Sequence, residues 1–139
     1  MGKLLGNWKL EKNENWDEFM VAMGVNFVLR KVASKITVCQ EIIQNGDNWE
    51  LNMTSTFKNK SLKFQLGVPF DDETMDGRQI KATFTLEDDV LVLNQKGIKE
   101  GDLDTLVTRK VDGNDQLIET FKIVQKNVVA VKTSKRYTP

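Results

Sequence analysis

The stretch GNWKLEKNENWDEFMVAMG, residues 6–24, changes from a strand pattern to a helix pattern within a few positions. Trp8 and Leu10 alternate with charged residues, which is typical of a β-strand with one buried face. After Asn15, apolar residues recur at the spacing of an amphipathic helix, namely Trp16, Phe19, Met20 and Met23. The sequence therefore predicts a short strand that runs directly into a small helix.

A second helical pattern follows Gly24 and extends to about Lys35, with apolar residues at Phe27, Val28, Val32 and Ile36. We expect Asn15 to cap the first helix through its side-chain oxygen, because Asn is a favoured capping residue. Asp17 and Glu18 suit the positive end of that helix, and Gly24 lets the chain reverse. The two patterns together predict a helical hairpin.

The remainder of the chain reads as strands. Apolar and polar residues alternate through 49–54 and 80–87, as they do in half-buried strands. Turn signals lie between such segments: NGD at 45–47, MDG at 75–77, KEGD at 99–102 and VDGND at 111–115. The spacing predicts an antiparallel meander, and closure into a barrel removes the exposed edges of such a sheet.

Length and composition indicate a single domain, residues 1–139, in a reducing cytoplasm. Lys plus Arg and Asp plus Glu both number 20, and a net charge of zero argues against nucleic acid as a partner. The single Cys39 cannot form an intramolecular disulfide, and residues 1–10 lack the apolar core of a secretory signal. Since no apolar run approaches the roughly 20 residues that span a bilayer, we expect a soluble protein.

Enzymatic chemistry is poorly represented in the sequence. There is no histidine, no glycine-rich phosphate loop and no CxxC pair. The acidic runs 71–73 and 87–89 would suit a hard cation or acid–base catalysis, but such runs are more often solvated turns. Cys39 is either a reactive thiol or a small packed side chain. We therefore predict no catalytic residue, no metal and no cofactor.

Arg109 interrupts an apolar pattern in the segment TLVTRKV, residues 105–111. Period-2 alternation places Arg109 on the same side as Val107 and Val111, so it faces inward if the valines do. A buried guanidinium needs acidic partners, water or a ligand anion, because its desolvation is costly. The alternative from the spacing alone is an exposed or edge position.

The opening stretch resembles the N-terminal signature of the intracellular lipid-binding proteins, the fatty acid-binding and cellular retinoid-binding family within the calycin superfamily. The resemblance covers essentially the whole chain, and the segments that carry it follow in the family's order: VLRKVASK (28–35), IIQNGDNW (42–49), STFKNKSLKFQLG (55–67), PFDDETMDGRQIKATFTL (69–86) and VLVLNQKG (90–97). It implies an all-β fold, a ten-stranded antiparallel up-and-down β-barrel (a clam) with a helix-turn-helix lid over one end. The family's barrel encloses a water-filled cavity for a lipid.

The resemblance also implies how a ligand carboxylate is held. The family uses one Arg on a late strand and an Arg-x-Tyr set on the last strand, and the first of these matches Arg109. The second falls at Lys132 to Ser134, so this chain carries Lys in place of Arg and Ser in place of Tyr, which resembles the liver-type branch. A shifted alignment would use Arg136 and Tyr137, but adjacent residues on a strand face opposite ways.

The other cavity residues implied by position are Trp16, Phe19, Met20, Met23, Phe57, Asp76 and Arg78. For the aromatic residues and methionines, core packing is an equally good interpretation. The resemblance implies a non-enzymatic cytosolic carrier, present also in the nucleus and monomeric, that binds a long-chain fatty acid or a similar carboxylate-bearing lipid. Arg109→Gln is then expected to weaken binding while relieving the free protein of a desolvated cation.

Other functions are also compatible with the sequence. One is a retinoid or bile-acid carrier, although retinol-binding members have a neutral amide where Arg109 stands. Another is a lipid-gated regulatory protein on the same fold, and an enzyme is a third. Arg30, Lys31 and Lys35 would give the lid a basic face for transient contact with anionic membranes. The portal for the ligand is expected between Phe57 and the second helix.

Overall fold

The computed structural model describes residues 2–74 and 77–139. Ten strands and two helices follow one another along the chain. Their bounds are β1 Gly6–Glu14, α1 Trp16–Ala22, α2 Phe27–Ala33, β2 Val38–Asn45, β3 Asn48–Ser55, β4 Lys60–Gln65, β5 Phe70–Glu73, β6 Gln79–Glu87, β7 Val90–Gly97, β8 Thr105–Val111, β9 Gln116–Ile123 and β10 Val128–Arg136. The prediction of an all-β chain with one helical hairpin is confirmed.

The strands form a single antiparallel sheet that is nearly closed into a barrel. Its order is β4-β3-β2-β1-β10-β9-β8-β7-β6-β5, so that β1 joins the two halves by pairing with both β2 and β10. Within the described residues, no strand pairing joins β4 to β5. Lys60 spans this gap, because its Nζ lies 3.0 Å from Oδ1 of Asp72 and donates a hydrogen bond to the carbonyl of Glu73.

The predicted turns join the expected strands wherever they are described. NGD connects β2 to β3, KEGD lies between β7 and β8, and VDGND between β8 and β9. The MDG signal falls partly outside the described residues. The acidic run 87–89 is also a turn, since Asp88 and Asp89 have φ of 49° and 64°, as a tight hairpin requires.

The packed core lies toward the end of the barrel away from the helices. Trp8, Leu51, Phe84 and Leu117 are buried there, and the rings of Phe64 and Phe84 stack with centroids 3.8 Å apart. The chain start covers this end, because the indole of Trp8 donates to the carbonyl of Leu4 at 2.9 Å. Filling one end with aromatic side chains leaves the space inside the barrel at the other end.

Helix α1 is fixed to the barrel by apolar contacts. Phe19 is buried against Ile123 and Ala130, and Trp16 and Met23 pack around this cluster. In contrast, none of residues 27–33 in α2 is fully buried. The two halves of the hairpin therefore differ in burial, and we expect α2 to have the lower local stability.

The predicted cap of α1 is wrong, although Asn15 does precede the helix. Asn15 adopts a left-handed conformation with φ of 60° and makes no side-chain capping hydrogen bond. Its amide instead donates to the carbonyl of Val129 at 2.9 Å, which ties the start of α1 to β10. Side-chain capping occurs in α2, where Oδ1 of Asn26 accepts from the backbone N–H of Leu29. Across residues 2–74 and 77–139, no helix has the length and apolar character needed to cross a membrane.

Candidate functional site

A cavity of about 300 Å³ lies between the closed end of the barrel and the helical hairpin. This is the lower end of the range of about 300–1,000 Å³ that is usual for small-molecule sites. Apolar side chains from the helices and strands form most of its wall, among them Leu29 and Val32 of α2 and Leu51, Met53, Leu93 and Val107 of the sheet. The site is therefore suited to an apolar molecule.

The residues predicted from the sequence converge on this cavity. All nine that fall within the described residues lie in its lining: Trp16, Phe19, Met20, Met23, Phe57, Arg78, Arg109, Lys132 and Ser134. Asp76 lies outside the described residues. The contact of these side chains with a ligand stays a prediction, but their common location follows from the fold.

Arg109 faces inward, as the alternation of β8 predicts, and the exposed alternative is wrong. It is 4% exposed and lies beside Glu119, which is equally buried. Nη2 of Arg109 is 3.2 Å from Oε2 of Glu119. The partner that a buried guanidinium needs is thus an acidic side chain of the neighbouring strand.

Three charged side chains, Arg109, Glu119 and Lys132, lie side by side on adjacent strands and form what we call the β8–β10 row. Strand register pairs Arg109 of β8 with Glu119 of β9, and Glu119 with Lys132 of β10. The row therefore reads cation, anion, cation across the inner wall of the barrel. Glu119 separates the two cations and neutralises one of them.

Gln40 closes this network from β2, on the other side of β1. Its Nε2 donates to Oε1 of Glu119 at 2.8 Å, and its Oε1 accepts from Nε of Arg109 at 3.3 Å. Two nitrogens of the guanidinium are thereby engaged. The third, Nη1 of Arg109, is buried and finds no hydrogen-bond partner among residues 2–74 and 77–139.

Lys132 lies at the boundary between this polar row and the lid. Its Nζ is 3.8 Å from the centroid of the Trp16 ring and 5.5 Å from that of Phe121. Burial lowers the pKa of Lys132 below its ordinary value of 10.5, Glu119 acts against this shift, and the charge of Arg109 adds to it. The surroundings as a whole disfavour the charged amine.

The alternative anchor, Arg136 with Tyr137, is wrong. Arg136 lies at the closed end of the barrel, where Nε contacts Asp115 at 2.7 Å and the guanidinium covers the ring of Trp8. Its other nitrogens donate to the carbonyls of Leu5 and Lys3. Arg136 therefore fastens the chain start, and the cavity positions of β10 are Lys132 and Ser134.

A second group of polar side chains lines the cavity near the gap between β4 and β5. Lys60 and Asp72 form the ion pair described above, and the other members are Lys58, Thr74 and Arg78. These side chains lie on or beside β4, β5 and the start of β6, whereas the row lies on β8, β9 and β10. The row contains the more deeply buried charges.

Phe57 of the β3–β4 turn and residues of α2, between which the portal is expected, line the same cavity. Phe57 is 46% exposed and also lines the cavity, so its ring reaches from the surface to the interior. Phe27 is 61% exposed on α2 and does not contact the cavity among the residues described. Substitutions of the two rings can therefore be compared, because both are exposed but only Phe57 lines the cavity.

The basic residues of the lid differ from one another. Nε of Arg30 lies 3.4 Å from Asp17, and Nη1 donates to the carbonyl of Val25 at 2.7 Å, so that Arg30 holds the hairpin together. Lys31 is exposed beside the Phe27 ring, at 5.0 Å from its centroid. The predicted basic face is thus smaller than expected and consists of Lys31 and Lys35.

The acidic run 71–73 and Cys39 were the other candidates for chemistry in the sequence. Within the described ranges, no group of three or more His, Cys, Asp or Glu residues is arranged to hold a metal ion. Asp71 and Asp72 instead pair with Lys81 and Lys60, respectively. Cys39 is half-buried on β2.

Glu119 and Gln40 are the main residues that the sequence analysis missed. The signal for Glu119 was present, since Leu117, Glu119 and Phe121 alternate with polar or outward positions in QLIETFKI, residues 116–123. The alternation that predicted the inward position of Arg109 therefore predicts the same for Glu119. Gln40 lies between Val38 and Ile42 in the same way.

Comparisons with known proteins agree with this architecture. Residues 5–138 match the model of the lipocalin / cytosolic fatty-acid binding protein family. Fatty acid-binding protein homolog 5 of Caenorhabditis elegans is 44% identical over 120 residues, which cover 86% of this chain and 88% of that protein. Sodium/calcium exchanger regulatory protein 1 of Doryteuthis pealeii is 40% identical over 116 residues, covering 83% and 85%. The structure of the Schistosoma mansoni fatty acid binding protein in complex with arachidonic acid has a TM-score of 0.88 at 31% identity and covers 99% of this chain and 98% of that one.

Proposed function

The chain belongs to the lipocalin / cytosolic fatty-acid binding protein family of non-enzymatic lipid carriers, and from this premise we propose that its ligand is a long-chain fatty acid or a similar carboxylate-bearing lipid. The tail occupies the apolar part of the cavity, and the head group lies against the β8–β10 row. The carrier works in the cytoplasm and the nucleus as a monomer.

One observation carries the head-group assignment. Nη1 of Arg109 is a buried donor inside a largely apolar cavity, and none of the described residues accepts its hydrogen bond. Buried donors of this kind carry a desolvation penalty that a bound acceptor removes. An oxygen of a ligand head group placed at Nη1 satisfies the guanidinium, and Lys132 supplies further positive charge close by.

The tail supplies most of the affinity in this proposal. Each methylene withdrawn from water contributes about 0.8 kcal/mol, whereas a charge-assisted hydrogen bond contributes about 1.5–3 kcal/mol. The flexible side chains of Met20, Met23 and Met53 adapt to different chain shapes. We therefore expect loose selection of the tail, with the polar contact fixing the orientation of the head group.

Titration with oleate tests the proposal directly. Calorimetry is expected to show saturable binding of oleate to the ligand-free protein, and mass spectrometry is expected to recover the lipid unchanged. Retinoic acid and a bile acid serve as competitors, since each has a carboxylate on a framework more rigid than a flexible chain. Tighter binding of either competitor than of oleate would replace the fatty acid by that class, and absence of oleate binding would reject the proposal.

Exchange of the ligand at membranes completes the proposed function. Phe27 and Val28 are exposed on α2, and Lys31 lies beside them, which gives an apolar spot with a positive neighbour. Such a surface favours transient contact with anionic bilayers. The contact brings the portal near Phe57 to the lipid surface.

A second candidate function is lipid-gated regulation of a partner. It is favoured by the similarity to the Doryteuthis pealeii protein named as a sodium/calcium exchanger regulatory protein and by the exposed apolar residues of α2. The two functions differ in the effect of occupancy. If binding to anionic vesicles or to a partner changes strongly between the free and the oleate-loaded protein, regulation is supported; equal binding supports a carrier.

A further inference from the structure

We propose that Glu119 is the specificity-determining residue of the cavity and that it opens the head-group site to uncharged polar lipids, such as a fatty alcohol, as well as to fatty acids. This inference rests on the proposed function, because it takes lipid binding in this cavity as given. It concerns the relative affinity for two head groups with the same tail.

The first step of the argument is the position of Glu119. Its strand neighbours in the row are Arg109 on one side and Lys132 on the other, and it is itself almost fully buried. Its two carboxylate oxygens contact Arg109 and Gln40, at 3.2 and 2.8 Å. Glu119 is therefore a fixed part of the wall, held by both of its oxygens.

The second step concerns charge. Without Glu119 the row would present two cations to a ligand, whereas with it the row carries a single net positive charge. Opposite charges within a few ångströms stabilise each other, and like charges destabilise each other, most strongly where water is excluded. A ligand carboxylate that approaches Arg109 is attracted by the guanidinium and repelled by the carboxylate already bound to it.

The third step concerns hydrogen bonds. Gln40 and Glu119 already engage Nε and Nη2 of Arg109, so the fork that usually binds a carboxylate through two parallel bonds is partly occupied. The remaining buried donor, Nη1, has no acceptor among the described residues and can take one more hydrogen bond. A hydroxyl or carbonyl oxygen can also accept the hydrogen bond of this single donor, whereas a carboxylate cannot use its second oxygen on the occupied fork.

The hydroxyl of an alcohol has an additional advantage over a carboxylate at this site. It accepts from Nη1 and donates its own proton, and carboxylate oxygens such as those of Glu119 have lone pairs beyond the contacts already made. An ionised fatty acid has no proton to donate. With Glu119 in the row, the difference in affinity between a fatty acid and a fatty alcohol is therefore smaller than it would be with Arg109 and Lys132 alone.

The experiment compares oleate and oleyl alcohol in the wild-type protein and in Glu119→Gln. The amide keeps the size of the side chain and removes the negative charge. We expect Glu119→Gln to bind oleate about tenfold more tightly, the effect of one charge-assisted interaction, while oleyl alcohol changes little. Glu41→Gln is the control, because Glu41 lies next to Gln40 on β2 outside the cavity lining.

The outcomes separate this inference from the proposed function. A rise of about fivefold or more in the acid-to-alcohol affinity ratio supports the role of Glu119, and a smaller rise or a fall overturns it. If neither lipid binds the wild-type protein, the proposed function itself fails. Should Glu119→Gln not fold, as judged by its thermal unfolding, the wild-type ratio decides: oleate favoured by less than about tenfold supports the inference, and a larger preference overturns it.

Discussion

Nζ of Lys132 lies 3.8 Å from the centroid of the Trp16 ring, so a charged side chain of the cavity wall contacts the first residue of the lid helix α1. A cation over an indole face is stabilised by the ring, and this stabilisation grows when water is excluded. The same lysine is next to Glu119 in the strand register. Lys132 therefore links the β8–β10 row to helix α1.

Lys132→Met is predicted to stabilise the ligand-free protein at neutral pH and to lose this advantage as the pH rises. The pKa of Lys132 is lowered on folding, mainly by burial, so the unfolded chain holds more protons between the folded pKa and 10.5. Stability of the wild-type protein consequently increases with pH through that window, and a variant without the amine lacks this increase. Thermal unfolding of both proteins at neutral and alkaline pH measures the difference.

Lys135→Met is the matched control for this prediction. Lys135 lies on the same strand but is exposed, with its Nζ 3.9 Å from Glu11. We expect its substitution to change stability little and equally at each pH, because a surface pair contributes about 0–1 kcal/mol. A stability difference for Lys132→Met that stays constant across the pH range would show that its cation is not destabilised by burial.

Arg109→Gln is predicted to weaken binding of oleate by about tenfold and to destabilise the free protein. The sequence alone suggested the opposite sign for stability, since it showed a buried cation without its partner. The ion pair with Glu119 reverses the sign, because removal of Arg109 leaves a buried carboxylate. Breaking a buried pair typically costs about 3–5 kcal/mol, and Lys132 and Gln40 reduce that cost here.

The double variant Arg109→Gln/Glu119→Gln tests this explanation by chemical denaturation. If Glu119 is the cause, removing its charge restores much of the stability lost in Arg109→Gln, which is a coupling between the two sites. Strictly additive losses would instead assign the effect to packing around residue 109. Oleate affinity is expected to stay low in the double variant.

Much of this architecture could be predicted from the sequence, for a physical reason. Alternation fixes which face of a strand is buried, so the inward position of Arg109 followed from Val107 and Val111. The partners of an inward side chain are harder to predict from sequence. Glu119 and Gln40 contact Arg109 only because β2, β8 and β9 are brought together around the barrel. The capping prediction for Asn15 was wrong for a related reason. Its side chain can bond either to the helix start or to the carbonyl of Val129, which is distant in sequence, and it bonds to the carbonyl.

Lys31→Glu together with Lys35→Glu is predicted to slow transfer of a fluorescent fatty acid to anionic vesicles. Both lysines lie on or just after α2, and a basic spot near the membrane contributes about 1 kcal/mol per charge. The effect is expected to disappear with zwitterionic vesicles and to shrink at high salt. Arg30 is unsuitable for this test, because its substitution also breaks the contact with Asp17 that holds the hairpin.

The control for the membrane prediction uses exposed lysines of the barrel strands, outside the helical hairpin. Lys63→Glu together with Lys122→Glu changes the net charge by the same amount at exposed positions of β4 and β9. If this pair slows transfer as much as the lid pair does, the overall charge of the protein governs the rate, and the lid has no special role.

Phe57→Ala is predicted to speed the release of oleate more than it weakens equilibrium binding. The Phe57 ring extends from solvent into the cavity lining, so we expect it to narrow the path of a departing chain between the β3–β4 turn and α2. An increase of about fivefold in the release rate corresponds to about 1 kcal/mol in the barrier. Stopped-flow transfer of the lipid to an excess of acceptor protein measures the release rate, and calorimetry measures the affinity.

Phe27→Ala is the control, because this ring is more exposed yet contributes nothing to the described cavity wall. Equal acceleration in both variants would mean that loosening of the lid, rather than the Phe57 ring, limits release.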